Sequence, residues 1–262
     1  MTTQTNQSIG FIGGGRVTRI FLGGWKRANA LPTKIVVSDP SADSLTKLQA
    51  EFPSIEIAPG DNRRAAAQTV VFLAVHPPVM MAMLGELGGA VAPETTVVSL
   101  APKFTLAKLA LALGGHARWA RVIPNAPSII GAGYNPMTFA PGLPVAAKET
   151  LQAMLAPLGD CPEVAESKLE AYALLTAMGP TYLWFQLETM RELGRSFGLT
   201  EDELQPALKR MVCGAARTLL GSGLTSAQVM DLIPVKPLAE DEAAIKQAYQ
   251  TRLPALFAKI KP

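Results

Sequence analysis

The junction at residues 9–15 constrains this chain most. A short apolar run, Ile9-Gly10-Phe11-Ile12, passes directly into Gly13-Gly14-Gly15, and a helical pattern begins at Arg16. A strand that ends in a glycine turn and opens a helix is the first half of a βαβ unit, whose glycines permit a tight turn and close approach of another group to the backbone. Further apolar runs follow at 34–37, 70–75, 96–99 and 122–123. They are short, β-branched and continuous instead of alternating, as strands covered by helices on both faces must be. Helical spacing fills the gaps at 16–29, 42–51, 78–87 and 106–113. This alternation predicts an α/β fold, a Rossmann-like doubly wound parallel sheet.

From about Lys168 the strand signals fade, and apolar residues recur at helical spacing through Leu169-Tyr172-Leu175 and Leu183-Leu187-Met190-Leu193. Gly198 is placed to stop one helix, and Thr200 with Glu203 has the form of a capping box that starts the next. Helices are expected over 202–220, 226–232 and 240–259. The expected division is a dinucleotide-binding domain over 1–165 and an all-α domain over 166–262. In the latter, Ala173-Leu174-Leu175 and Leu183-Trp184-Phe185 place apolar residues around more than one helix face, so this domain is expected to meet a second subunit in a homodimer or higher homo-oligomer.

Composition excludes several function classes. With 48% hydrophobic and 17% charged residues the chain is built for a packed core, not for disorder. Its +3 net charge comes from 24 basic and 21 acidic residues without Lys/Arg clusters, which argues against nucleic acid. Cys161 and Cys213 form no paired motif, so neither a disulfide framework nor a zinc site is expected, and no other metal cluster is visible. Residues 1–8 lack the basic and apolar regions of a signal peptide, and the apolar runs fall far short of the roughly 20 residues that span a bilayer. A cytoplasmic protein that binds a small-molecule substrate, without a membrane partner, is expected.

In an open parallel sheet, ligands collect outside the carboxyl ends of the strands. Gly13, Gly14 and Gly15 are therefore expected to seat a pyrophosphate, with Arg16 and Val17 opening the helix whose first amides hold the charge. Thr18 stands where the fingerprint has a third glycine or alanine, a change expected to loosen the helix-to-strand approach. Ser38-Asp39 ends the second strand, where an acidic side chain accepts from ribose hydroxyls; this tilts the choice toward NAD, while Ser38 and Ser41 leave NADP open. Asp39 also reads as an ordinary turn residue before Pro40. The remaining cofactor contacts are expected from Ala74-Val75-His76-Pro77, from Ala101 in Leu100-Ala101-Pro102, and from Asn125 in Ile123-Pro124-Asn125-Ala126-Pro127.

Three residues are candidates for the chemistry. The Asn125 amide can hydrogen-bond a ligand from a loop stiffened by prolines on both sides. His76 suits cofactor contact or acid catalysis, since an unperturbed imidazole titrates near pH ~6.5, and reads equally as a solvated turn residue. Tyr182 reads as a core tyrosine on an apolar helix or as a proton donor. His116 is read as a surface turn, and Met80, Met81 and Met83 as packing.

Taken together, Ile9–Gly15, Val75-His76-Pro77, Arg121 with Ile123-Pro124-Asn125-Ala126-Pro127, and Gly179-Pro180-Thr181-Tyr182 resemble the pyrroline-5-carboxylate reductase family, in this order and over nearly the whole chain. The resemblance implies an NAD(P)H-dependent reductase of a cyclic imine that pairs through its helical domain. His76 stands where the family has lysine. The family's Ser/Gly/Thr-rich C-terminal turn, which holds the substrate carboxylate, is absent; Met230–Leu238 has no glycine or hydroxyl and places Pro234 where an amide donor is wanted. Lys236 reads as a substitute charge or as a solvated loop residue. Reduction of pyrroline-5-carboxylate to proline is the first expectation. Another imine or carbonyl substrate, or a non-catalytic dinucleotide sensor, is the alternative.

Overall fold

A computed structural model describes residues 7–262, so the reading of the polar N-terminal stretch concerns residues almost wholly outside those described. The chain divides into two compact units, one running up to Met178 and taking in Phe257–Pro262, the other Gly179–Leu256.

In the first unit the elements alternate: β1 (Ser8–Ile12), α1 (Arg16–Arg27), β2 (Lys34–Asp39), α2 (Ala42–Glu51), β3 (Glu56–Pro59), α3 (Asn62–Ala66), β4 (Val70–Leu73), α4 (Pro77–Glu86), β5 (Thr96–Ser99), α5 (Leu106–Ala112) and β6 (Trp119–Val122). Then come β7 (Gly133–Tyr134), β8 (Met137–Phe139), α6 (Val145–Leu155) and β9 (Gly159–Asp160). The seven-stranded sheet has the order β3-β2-β1-β4-β5-β6-β8, parallel except for the antiparallel edge strand β8. The expected doubly wound sheet is what the chain builds.

The continuous apolar runs make sense once both faces are seen. Side chains alternate across a strand. Ile9, Phe11, Ile35, Val37, Val70 and Phe72 therefore enter one core with Phe21, Leu22 and Trp25 of α1 and Leu151, Met154 and Leu155 of α6. Ile12, Val36, Val71, Leu73 and Val97 enter the other with Met80, Met83 and Leu84 of α4 and Leu109 of α5. Each fully buried side chain of this size contributes about 1.5–3 kcal/mol. Phe11 and Phe72 stack on adjacent strands with centroids 5.0 Å apart, and the Trp25 indole donates to the Met154 carbonyl at 2.8 Å. Of the three methionines read as packing, Met80 and Met83 are buried and Met81 is exposed.

The structure adds elements that periodicity did not reveal. β3, α3, β8 and the β7/β9 pair are too short to show a period, α6, though eleven residues long, falls outside the expected helices, and β3 lies at the sheet edge, where only Ala58 is fully buried. The division between units falls after Met178, later than the boundary expected at residue 165. The reason is α7 (Leu169–Tyr172), whose Leu169 packs with Ala173 and Ile123 beyond β6. A single π-helical turn, Ala173–Ala177, follows and closes with the Met178 amide donating to the Ala173 carbonyl at 3.0 Å.

The second unit is helical: α8 (Pro180–Ser196), α9 (Glu201–Gly221), α10 (Ser226–Asp231) and most of α11 (Glu242–Ile260). Gly198, at φ +93°, follows the end of α8, and the Thr200/Glu203 capping box opens α9 as expected. Glu201 pairs with both Arg191 and Arg195 across that turn. No helix among the described residues is long and apolar enough to cross a membrane.

One buried ion network ties α7 to the sheet. Arg121 of β6 is fully buried, with Nη2 donating to Glu170 Oε1 at 2.5 Å and Nη1 to Glu166 Oε1 at 3.0 Å. The same carboxylate oxygens accept from the backbone amides of Lys103 and Leu106, at 3.2 Å and 2.6 Å, and so hold the segment that leads from β5 into α5. Both terminal nitrogens of Arg121 are paired, which offsets much of the desolvation cost although its buried Nε has no partner, and removing one side of such a network strands a buried charge. Arg121→Met should therefore lose about 3–5 kcal/mol in urea unfolding, and adding Glu170→Leu should recover part of the loss. A double variant no more stable than the single one would contradict this account.

Candidate functional site

The strand order reverses beside β1: β2 and β3 lie on one side, β4 to β6 on the other. The connections on the two sides leave to opposite faces and part above the carboxyl ends of β1 and β4, which is where a doubly wound sheet takes its ligand. A cleft of about 750 Å³ opens there. Its floor is the glycine turn. The Gly13 amide donates to the Ser38 carbonyl at 2.7 Å, and the Ala74 amide donates to the Ile12 carbonyl at 2.8 Å, so the turn is clamped between β2 and β4. Gly13 sits at φ +107°, where a Cβ would come within 2.7 Å of the Ala74 carbonyl oxygen. Gly15 is the reverse case: a Cβ there would meet nothing within 4 Å, because that face opens into the cleft.

Thr18 corrects an expectation. Its buried hydroxyl donates to the Gly13 carbonyl at 2.5 Å, so the residue expected to loosen the helix instead pins the turn to α1. At the start of α1, Gly15 offers no side-chain cap and the first turn carries no acidic residue, leaving the leading amides facing the cleft with the positive end of the helix dipole. Asp39 lines the cleft from the end of β2. Its Oδ2 accepts from the Gly14 amide at 2.8 Å and its Oδ1 from the Ser41 amide at 2.9 Å.

The structure gathers Gly13, Gly15, Arg16, Val17, Asp39, Ala74, Val75 and His76 around this one cleft. Gly14 reaches it through its bond to Asp39. His76 is exposed at the rim as the N-cap of α4, and Pro77 is the first residue of that helix. Ser38 is fully buried, its hydroxyl donating to Asn62 Oδ1 at 2.8 Å, and Ala101 packs inside the second core. Gly60, Asn62, Val79 and Glu86 also line the cleft and were not singled out from the sequence. Gly60 and Asn62 follow β3; recognising that strand would have directed attention to the residues just past its end.

Asn125 is placed differently from the cleft residues. Its Nδ2 donates to the Thr176 carbonyl of the π turn at 3.3 Å, and its Oδ1 accepts from the Tyr134 amide at 3.1 Å. Its own amide donates to Oδ1 of the fully buried Asn135 at 3.2 Å, where the Ser128 hydroxyl also donates, at 2.8 Å. Tyr134 stacks at a tilt on Tyr172, and burial, then the neighbouring Tyr172, raises its phenol pKa. Cys161 borders this network, and burial pushes its thiol up to about 11. His116, read as a surface turn, is half-buried, with Nε2 2.8 Å from the Thr95 carbonyl.

In the helical unit, Tyr182 meets Tyr249 edge to face at 5.7 Å; burial, then Tyr249, raises its pKa, so its hydroxyl stays protonated at neutral pH. The stretch at 230–238 is exposed, including Ile233, Val235 and Leu238. Among the described residues no group of three or more His, Cys, Asp and Glu side chains is arranged to hold a metal.

A cleft at the switch point of a doubly wound sheet, floored by a glycine turn and an uncapped helix start, defines a dinucleotide-binding domain. Over most of its length the chain is similar to pyrroline-5-carboxylate reductases. It is 27% identical to that of Escherichia coli (strain K12) over 230 residues, 87% of this chain and 84% of that protein. The solved pyrroline-5-carboxylate reductase of Coxiella burnetii is 28% identical and superposes with a TM-score of 0.70, covering 98% of this chain and 95% of the other. The pyrroline carboxylate reductase of Plasmodium falciparum, solved with NADP bound, shares the fold at 17% identity and a TM-score of 0.74, over 97% and 94% of the two chains. Residues 8–103 match the family described as NADP oxidoreductase, coenzyme F420-dependent. The resemblance read from the strand-end motifs is borne out.

Two outcomes test this local structure. Asn125→Ala should cost about 1–3 kcal/mol in chemical denaturation, because it leaves the half-buried Thr176 carbonyl and Tyr134 amide without the side chain that joins them; an unchanged midpoint would mean that the network is not holding the loop. A folded-state thiol pKa near 11 leaves Cys161 protonated at pH 8, whereas Cys213 is exposed. A thiol reagent at pH 8 should label Cys213 alone in the native protein and Cys161 only on unfolding or well above pH 10, with rapid double labelling of native protein at pH 8 as the contrary result.

Proposed function

We propose that this protein is an NAD(P)H-dependent oxidoreductase that reduces a C=N bond, with 1-pyrroline-5-carboxylate, reduced to proline, as the first candidate substrate. The observation that carries the reading is likeness to pyrroline-5-carboxylate reductases along almost the whole chain, 98% of it in the Coxiella burnetii comparison, with the cleft at its switch point intact.

The residues present suit a dinucleotide. The amides opening α1 and the open face of Gly15 match a pyrophosphate, Arg16 adds a cation, Asp39 is placed for ribose hydroxyls, and Ala74 to His76 line the β4 side. When bound, the nicotinamide supplies the hydride. The chain's task is then to orient the acceptor, exclude water and manage one proton. His76, at the rim, is assigned contact with cofactor or substrate. Asn125 holds the segment after β6 in place through Thr176 and Tyr134. Tyr182 is assigned as a neutral hydroxyl donor.

The stretch at 230–238 supports a second reading on one specific ground. It offers no glycine or hydroxyl where the resembled family holds the substrate carboxylate, which favours another imine or a carbonyl compound. The helical unit exposes Leu183, Trp184, Phe185, Phe197 and Leu220, an apolar surface that supports assembly as a homodimer. Two free cysteines fit the reducing cytoplasm.

The deciding experiment follows NADH and NADPH oxidation by the purified protein with pyrroline-5-carboxylate, other cyclic imines and keto acids. Oxidation fastest with pyrroline-5-carboxylate is the expected outcome. Turnover confined to another imine or a carbonyl compound would move the substrate, and tight cofactor binding without turnover across the panel would favour a sensor.

A further inference from the structure

We propose that the outer edge of the cleft selects NADH against NADPH, with Asp39 as the specificity-determining residue; this rests on reading the cleft as a nicotinamide dinucleotide site. The matched family description and the Plasmodium falciparum structure both name NADP, so the selection would be a departure of this chain.

The Asp39 carboxylate is fixed at both oxygens, Oδ2 by the Gly14 amide at 2.8 Å and Oδ1 by the Ser41 amide at 2.9 Å. It is therefore not free to swing aside for a phosphate. Each carboxylate oxygen keeps a further lone pair for a ribose hydroxyl, and hydroxyls are what NADH presents at this edge. A 2′-phosphate would bring a second anion against it.

The neighbouring groups offer that anion little. Ser38 is fully buried with its hydroxyl donating to Asn62 Oδ1, and Ser41 Oγ is engaged as the N-cap of α2, accepting from the Ser44 amide at 3.2 Å. The two arginines at the start of α3 are both engaged elsewhere: Arg63 Nη2 donates to the Gly88 carbonyl at 3.0 Å, and Arg64 Nη2 pairs with Glu56 at 2.9 Å. The recess adjoining the cleft on this side brings Asp61 and Glu86 together with Arg63. Asp39 and Glu86 thus line the cleft, and Asp61 and Glu86 line the adjoining recess, where the guanidinium present is that of Arg63. Arg16, the remaining cation lining the cleft, belongs to the pyrophosphate end at the start of α1. Carboxylates lining the site oppose binding of the more anionic ligand more than they favour the right one, one of the ways in which specificity is achieved.

The test is equilibrium binding of the full chain to NADH and to NADPH, read by nicotinamide fluorescence and independent of any substrate. NADH should bind at least about tenfold more tightly. Asp39→Ser should bring the two dissociation constants together or reverse them. Asp39→Asn, which keeps an acceptor for the Gly14 amide while removing the charge, should move the ratio in the same direction. Equal affinities or tighter NADPH binding in the unaltered protein would overturn the inference, as would an unchanged ratio in both folded variants. Binding of neither cofactor would overturn it together with the dinucleotide reading. Selective NADH binding without turnover of any C=N substrate would leave it standing while removing the reductase.

Discussion

The reversal of strand order beside β1 is the constraint from which the rest of the first unit follows. Crossovers between parallel strands keep one hand, so strands added on opposite sides of β1 send their helices to opposite faces of the sheet. That geometry covers both faces and forces β1 and β4 to be apolar on both sides. It also leaves one place, above their carboxyl ends, where no connection crosses. The Gly13 turn lies there because β1 must pass into α1 without filling the gap, and only a residue without Cβ fits beside the Ala74 carbonyl at φ +107°.

Polar contacts then fix what the hydrophobic layers leave loose. Hydrophobic burial is non-directional, so it sets the distance between layers but not the pose of a loop. Around the cleft the pose is set by short bonds to backbone: Thr18 to Gly13, Asp39 to Gly14 and Ser41, and the Gly13 amide to Ser38. Farther along the sheet the same work falls to Arg121 with Glu166 and Glu170, and to Asn125 with Thr176 and Tyr134. Both sets hold segments that leave the carboxyl ends of β5 and β6, and both reach into the α7 and π-turn segment. The π turn ends just before Gly179, where the helical unit begins.

Much of this was legible in the sequence wherever a period or a cap carries the information. The continuous runs at 34–37, 70–75 and 96–99 announced strands buried on both faces, and Thr200 with Glu203 announced the start of α9. Legibility failed where elements are shorter than any period, as with β3 and α3, and with them went Gly60 and Asn62 as residues of the cleft. It failed also for Arg121 and Asn125. A lone arginine in a strand and an asparagine in a proline-rich loop have several possible partners; those of Arg121 lie 45 and 49 positions away, and Asn125 joins Tyr134, 9 positions on, to Thr176, 51 positions on.

The sequence by itself determined the class of fold, the place of the glycine turn, the helical character of residues beyond Lys168 and the likeness to pyrroline-5-carboxylate reductases, since each rests on local spacing or on short motifs in order. Only the tertiary structure decided which of the marked residues share one cleft. Strand order brings Asp39 and Ala74 to either side of Gly13, burial withdraws Ser38 and Ala101, and hydrogen bonding commits the Asn125 amide to the π turn. Those outcomes depend on which distant groups compete for the same polar atom, a choice made only when the chain has packed.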